Sequence, residues 1–381
     1  MIELIIILLF SNILAGTDLY VGYPDKNNNF DKVQDAVNKA ASINPPDESK
    51  RVTIHIAPGT YRQQIILQTP YVTFINDEPE KGDALLTWYY GIGYKYYSAG
   101  KSGYYVEKNA KQKTTKNPAK YSWGASVILF DKAIYFRAQN IVFENSFNRY
   151  ITKEEIEDGV ELTGDSGVQV KVERTDSLDV RSKEAGERAA ALALEAPYSE
   201  FLNCRILSGQ DTLYTKESPL YFKNCIIEGG IDYIFGTSNA VFDSCELRFK
   251  GFSTNPSPEY ITPAKAGKGT YTGYLMYNCQ ITKSKGISHV KGYLGRPWAN
   301  TAKVTYINTI LEDENTIEEA GWTKMGNINP EEVEGFFEYG TKLKNGALVN
   351  TSQRKGNILS KSDAEKINIK DYMNGWTPSF M

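Results

Sequence analysis

Two aspartates stand out as the residues through which this chain could do chemistry. Asp211 lies in Ser208-Gly-Gln-Asp-Thr-Leu-Tyr214 and Asp232 in Gly229-Gly-Ile-Asp-Tyr-Ile-Phe-Gly236, an interval of 21 residues. If that interval is one turn of a stacked structure, the two carboxyls become neighbours. Like charges so placed cannot both ionise easily, so the pair titrates in two separated steps, one proton held well above the reference value of about 3.9. One member then serves as acid and the other as base or nucleophile. A nearby arginine decides which, and Tyr293-Leu-Gly-Arg-Pro-Trp298 supplies one in Arg296. The same spacing also suits a polar ladder on a solenoid face with no chemistry.

Other chemistries find less support. The chain has two histidines, His55 and His289, and no Gly-x-Ser-x-Gly segment, which argues against a nucleophile-elbow serine hydrolase. His55 alternates within an apolar strand and reads as structural. The cysteines recur at long intervals rather than in pairs two to four apart, so they do not read as a zinc site. A net charge of −3 gives no basic stripe for nucleic acid.

The elements that must position the aspartates are visible as a repeat. Phe201-Leu-Asn-Cys-Arg-Ile206, Phe222-Lys-Asn-Cys-Ile-Ile227 and Phe242-Asp-Ser-Cys-Glu-Leu247 share one pattern, which returns at Met276-Tyr-Asn-Cys-Gln-Ile281 and Tyr306-Ile-Asn-Thr-Ile310. Short strands recurring about every 20 residues indicate a solenoid whose coils bury apolar faces against each other. A parallel β-helix sets equivalent residues roughly 4.8 Å apart. The expected fold is therefore all-β, a parallel β-helix with long projecting loops.

Phe30 to Ala40 has helical spacing, with Asn29 as N-cap, and is expected to cover the first coil. Val52 to Ala57, Ile65 to Leu67 and Val72 to Ile75 read as strands. Gly82 to Trp123, rich in tyrosine, reads as a projecting loop that either stacks on sugar rings or packs on itself. Residues 150–187 form a second, charged insertion. After about residue 320 the repeat is lost, and a tail packed along the solenoid is expected.

Ile5 to Leu14 is apolar and precedes Ala15-Gly16, resembling a secretory signal peptide over residues 1–16, although Glu3 sits where a basic residue is usual. The run is too short to span a bilayer. Residues 17–381 then form one domain. Secretion agrees with four cysteines and the sequon Asn350-Thr351-Ser352. Stacking favours a Cys204–Cys225 disulfide, leaving Cys245 and Cys279 as possible partners; a ladder of buried free thiols is the other reading.

Gln210-Asp-Thr-Leu213, Asp232-Tyr-Ile-Phe-Gly236 and Leu294-Gly-Arg-Pro-Trp298, in this order, resemble the signature segments of pectin methylesterases, carbohydrate esterases with a right-handed parallel β-helix. Gly59-Thr-Tyr61 and Arg188-Ala-Ala-Ala-Leu192 are weaker matches, and the resemblance runs over residues 28–325, interrupted by the two insertions. It implies that Asp232 is the nucleophile on a methyl-esterified galacturonate and that Asp211 protonates departing methanol, then activates water. Gln210 would donate to the oxyanion, Arg296 would orient and ionise Asp232, and Trp298, Tyr233 and Phe235 would hold the sugar. No metal or organic cofactor is implied. The expected partner is pectin, met outside the cell by a monomer, with no nucleic acid or membrane.

The sequence departs from that family at two positions. Arg188 replaces the glutamine 22 residues before Gln210, and Gln63 replaces the glutamate of the early motif. Arg188 can donate a charge-assisted hydrogen bond to the oxyanion, or pair with an aspartate and freeze the site. The alternatives are thus an esterase for a different ester, a catalytically weakened polysaccharide-binding protein, or a lyase or glycosidase on polygalacturonate.

Overall fold

The computed structural model describes residues 16–119, 121–162, 188–251, 258–265, 272–285 and 291–381. The signal-like segment, apart from Gly16, and His289 lie outside them.

The chain is a right-handed parallel β-helix. Three parallel sheets, of twelve, nine and seven strands, run the length of the described structure. One coil shows the plan. Leu192–Leu194 belongs to the seven-stranded sheet, Ser199–Leu202 to the twelve-stranded sheet and Arg205–Leu207 to the nine-stranded sheet, and Leu213–Thr215 begins the next coil directly on Leu192–Leu194.

The Asn of the repeat is explained by the corner between the twelve- and nine-stranded sheets. Asn203, Asn224 and Asn278 take positive φ there, at 52°, 52° and 54°. Asparagine tolerates that left-handed conformation better than most residues, so the chain turns in one step. The Phe of the repeat builds the core: Phe201, Phe222 and Phe242 stack face to face, with centroids 4.8 and 4.7 Å apart, the coil rise itself.

The Cys of the repeat faces inward too. Cys204, Cys225, Cys245 and Cys279 are fully buried free thiols. The expected Cys204–Cys225 disulfide does not form. In-register stacking holds parallel Cβ vectors at roughly the 4.8 Å coil spacing, beyond the 3.5–4.5 Å that a disulfide needs. The thiols bond to the backbone instead, Cys279 Sγ to Phe242 O at 3.1 Å.

The capping helix spans Val33–Ile43, three residues later than its periodicity suggested, and presents Val33, Ala36, Val37 and Ala40 to the first coils. Asn29 is not its cap. Its Oδ1 accepts from Tyr23 N at 2.9 Å, and Lys32 takes the cap position with no side-chain bond. Gln34 on this helix satisfies the free edge of the seven-stranded sheet, accepting from Ile66 N (2.8 Å) and donating to Ile66 O (3.2 Å). Gln63 accepts from Gln34 N at 3.1 Å, so this departure from the family pattern serves the cap.

The tyrosine-rich excursion begins later than expected, because Ala84–Trp88 is a regular strand of the nine-stranded sheet. Tyr89, Tyr90, Tyr94 and Tyr96 then bury themselves in a second core with Trp88 and Phe147, which is the self-packed reading. The repeat also persists further than expected. Gly335–Tyr339 pairs in parallel with Lys303–Ile307, and Phe336 stacks on Trp322 at 4.1 Å. Only then does the tail lie along the solenoid, setting Ala364, Tyr372 and Met373 against the outer face of the twelve-stranded sheet at Tyr221, Val241 and Leu275.

Candidate active site

Asp211 and Asp232 each precede a strand of the seven-stranded sheet by two residues. Those strands, Leu213–Thr215 and Ile234–Gly236, are in register, Leu213 on Ile234, so the carboxyls stand one coil apart. Both aspartates have positive φ, 57° and 52°. Aspartate, like asparagine, reaches this left-handed region more readily than most non-glycine residues, and here it turns the chain just before each strand. Asp211 N donates to Ile231 O at 3.0 Å, which holds one corner on the next.

Both carboxyls are almost fully buried, at 6% and 5% exposure. They open on a cleft of about 260 Å³ lined also by Arg188, Gln210, Phe235, Arg296 and Trp298. Arg296 binds Asp232 bidentately, Nε to Oδ1 at 2.8 Å and Nη2 to Oδ2 at 2.6 Å. Such paired bonds fix the carboxylate plane as well as its charge. The other face of the guanidinium lies over the Tyr260 ring, 4.1 Å from its centroid.

The pair is electrostatically split. Burial, reinforced by the charge of Asp232, pushes Asp211 up to about 8 against the opposing pull of Arg188, Gln210 and Arg296. Burial also raises Asp232, but its hydrogen bonds and charge pairing with Arg296 work against that. Asp211 is therefore the member that keeps a proton at neutral pH, and Asp232 is the one equipped to carry charge.

Gln210 and Arg188 occupy matching positions on successive coils, joined by a parallel bridge, and a second bridge links Gln210 to Ile231. Arg188 makes no ion pair with either aspartate among the described residues. Its guanidinium lies over Trp123, 5.9 Å from the ring centroid, and its buried Nε has no hydrogen-bond partner among the described residues. The site is not frozen by it.

A profile of the pectinesterase family matches residues 177–375, more than half of the chain. This chain belongs to the pectinesterase family. It is 28% identical over 323 residues to "Pectinesterase 31" of Arabidopsis thaliana, covering 83% of this chain and 80% of that one. It is 38% identical over 176 residues to "Probable pectinesterase A" of Neosartorya fischeri, 45% of this chain and 49% of that one. In fold it matches the pectin methylesterase PemA of Erwinia chrysanthemi with a TM-score of 0.68 at 18% identity, over 96% of this chain and 98% of that one. A pectin methylesterase solved in complex with a hexasaccharide matches with a TM-score of 0.68 at 20% identity, over 96% and 99%.

As a pectinesterase-family member the chain is a carboxylic ester hydrolase. Of the residues singled out in the sequence, Asp211, Asp232, Gln210, Arg188, Arg296, Phe235 and Trp298 come together in the cleft. Tyr233 does not. It is fully buried in the solenoid core near Phe249, because Tyr233 and Ile234 both turn inward at the corner and only Phe235 faces out. Trp123, Pro263 and Met325 also line the cleft and were not singled out. Pro263 is legible in retrospect, being the strand partner of Arg296. Trp123 and Met325 come from segments without repeat, where no periodicity marks a facing side chain.

Proposed function

We propose that this chain hydrolyses methyl esters of polygalacturonate, releasing methanol, with Asp232 as nucleophile and Asp211 as general acid and base. The observation that carries this reading is the bidentate Arg296–Asp232 pair one coil from a carboxyl pushed up to about 8. An Asp232 oxygen attacks the ester carbonyl carbon, and the carbonyl π pair moves to its oxygen. The Gln210 amide and the Arg188 guanidinium, side by side on successive coils, stabilise that oxyanion. As the C–O bond to the methoxy group breaks, the Asp211 proton goes to the departing oxygen and methanol leaves an acyl-enzyme anhydride. Asp211, now a carboxylate, takes a proton from water. The resulting hydroxide adds to the same carbonyl carbon, and Asp232 departs as carboxylate. The free galacturonate product then ionises.

Substrate class follows from the family and from the cleft, in which Phe235 and Trp298 offer apolar surface beside the charged groups. The polymer is extracellular, and the apolar run Ile5 to Leu14 supports export of the chain. Among the described residues no helix is long and apolar enough to cross a membrane. Asn350 of the sequon is exposed.

The test is methanol release from highly methylated pectin, measured beside the appearance of new reducing ends. Methanol without chain cleavage, abolished by Asp232→Ala, is the expected result. Chain cleavage without methanol would instead identify a lyase or glycosidase. Wild-type rates in Asp232→Ala would sink the mechanism.

A further inference from the structure

Asp211 and Asp232 open beside the outward face of the seven-stranded sheet, and a polysaccharide that reaches them along the solenoid axis lies on that face. Strand register aligns one outward residue per coil along it: Ile66 on Ile128, Ile128 on Ala193, Ala193 on Tyr214 and Tyr214 on Phe235. Pro263 and Arg296 continue the outward face beyond Phe235 and are paired with each other. Asp211 and Asp232 stand beside the middle of this row, at the coils of Tyr214 and Phe235.

Toward the early coils the row is covered. Ile128 and Ala193 point outward yet are wholly buried, as are Ala125 and Ala190 next to them. The cover comes from the excursion that follows Trp88. Tyr104 packs edge-on against Phe130 at 5.8 Å, and Trp123 closes the rest. Trp123 is thus a boundary residue. One side of it rests on the buried small residues, and the other lines the cleft, 5.0 Å from Phe235 and 5.7 Å from Tyr214.

The backbone that carries Trp123 is built to stay in place. Ser122, Trp123 and Gly124 are three consecutive left-handed residues, at φ 44°, 59° and 70°. That conformation persists only where surroundings over-determine it, and here they do. Ala190 N donates to Trp123 O (3.0 Å), Asn145 Nδ2 to Gly124 O (3.2 Å) and Ser122 Oγ to Glu195 (3.0 Å). A Cβ on Gly124 would stand 2.7 Å from Tyr90 O, so the position has no room for another residue. Toward the later coils the face carries Trp298, 6.4 Å from Phe235, and the exposed Lys265, whose ammonium lies 5.4 Å from the Trp298 ring. An aromatic face beside a cation suits a sugar with a free carboxylate.

We infer that Trp123 is a specificity-determining wall that ends the groove at the aspartates, so that esters are removed at or next to one terminus of a polyuronide chain. The remainder of the chain then leaves over Trp298 and Lys265. Interior esters are excluded because the polymer would have to pass through the Trp123 and Tyr104 cover. This rests on the methyl-esterase reading above.

The test uses fully methyl-esterified oligogalacturonides of defined length, labelled at the reducing end with heavy oxygen. Tandem mass spectrometry then locates the first free carboxylate. Wild-type enzyme is expected to expose it at or beside one terminus. Trp123→Ala should raise the ratio of interior to terminal removal by on the order of tenfold. Tyr104→Ala, further from the reacting groups, should shift the ratio in the same direction. Interior removal by the wild type at rates equal to terminal removal overturns the wall and leaves the esterase standing. No methanol from any oligomer overturns the esterase reading and the wall with it. The wild-type pattern decides the matter even if neither variant folds.

Discussion

Arg296 holds both oxygens of Asp232, at 2.8 and 2.6 Å, and is itself held from behind by Tyr260, 4.1 Å from its ring centroid. Arg296 therefore orients the carboxylate and opposes the upward push of burial on it, and the orientation needs the planar fork of arginine. A lysine would keep the charge and lose the plane. Arg296→Lys should fold, because one charge still faces Asp232, but its kcat should fall by about 10²-fold through misplacement of the nucleophile. Arg296→Ala leaves a buried carboxylate unpaired and should lose about 3–5 kcal/mol of stability as well. Methanol release and thermal melts separate the two effects. A lysine variant with full kcat would show that charge alone suffices.

The raised Asp211 sets a pH dependence with a definite sign. Between its ordinary value of 3.8 and about 8, the folded chain holds a proton that the unfolded chain releases. Stability from this group is therefore complete at acid pH and is lost as pH rises through about 8. Asp211→Asn cannot ionise, so its melting temperature should gain on the wild type as pH rises, and the two should converge at low pH. On the proposed mechanism catalysis has the same limb, since departing methanol would take the Asp211 proton: kcat/KM should decline above about 8. Calorimetry across that range checks the first statement and initial rates check the second. A wild type whose stability rises through the same range contradicts the assignment.

The thiol ladder makes a separate prediction. All four cysteines are buried and unbridged, so reductant should leave the melting temperature unchanged. An aromatic disulfide reagent should find no thiols in the native chain and four after denaturation. Fewer than four in denaturant without reductant would reveal a disulfide.

What the sequence disclosed of this fold and site depended on the repeat. Asp211 and Asp232 were legible because coil spacing alone makes them neighbours, and Arg296 and Trp298 because they stand in a short motif on a later coil. Tyr233, set beside the sugar by the family resemblance alone, lies in the core, because it and Ile234 both turn inward at the corner. Trp123 was hidden for a different reason. Its position depends on three left-handed residues and on packing against Ile128 and Ala193, which are distant in sequence and reveal nothing through periodicity. The same limit applied to the tyrosines after Trp88, whose burial in their own core is a tertiary fact.

Arg188 stands where the resemblance implies a glutamine, and its setting makes the difference testable. It sits one coil from Gln210, carries a buried Nε without a partner among the described residues, and faces the cleft without pairing to either aspartate. A donor so placed and unspent is available to an oxyanion. Arg188→Ala should lower kcat by about 10²–10³-fold with little change in KM, the signature of a contact made in the transition state. Arg188→Gln should recover most of that loss, since an amide supplies a donor at the same position. The charge has a second effect, because Arg188 pulls Asp211 down. Both variants should therefore move the alkaline limb of kcat/KM upward, a shift that a merely structural arginine would not cause. Faster turnover in Arg188→Gln than in the wild type would reverse the conclusion and make Arg188 a brake on an otherwise ordinary site.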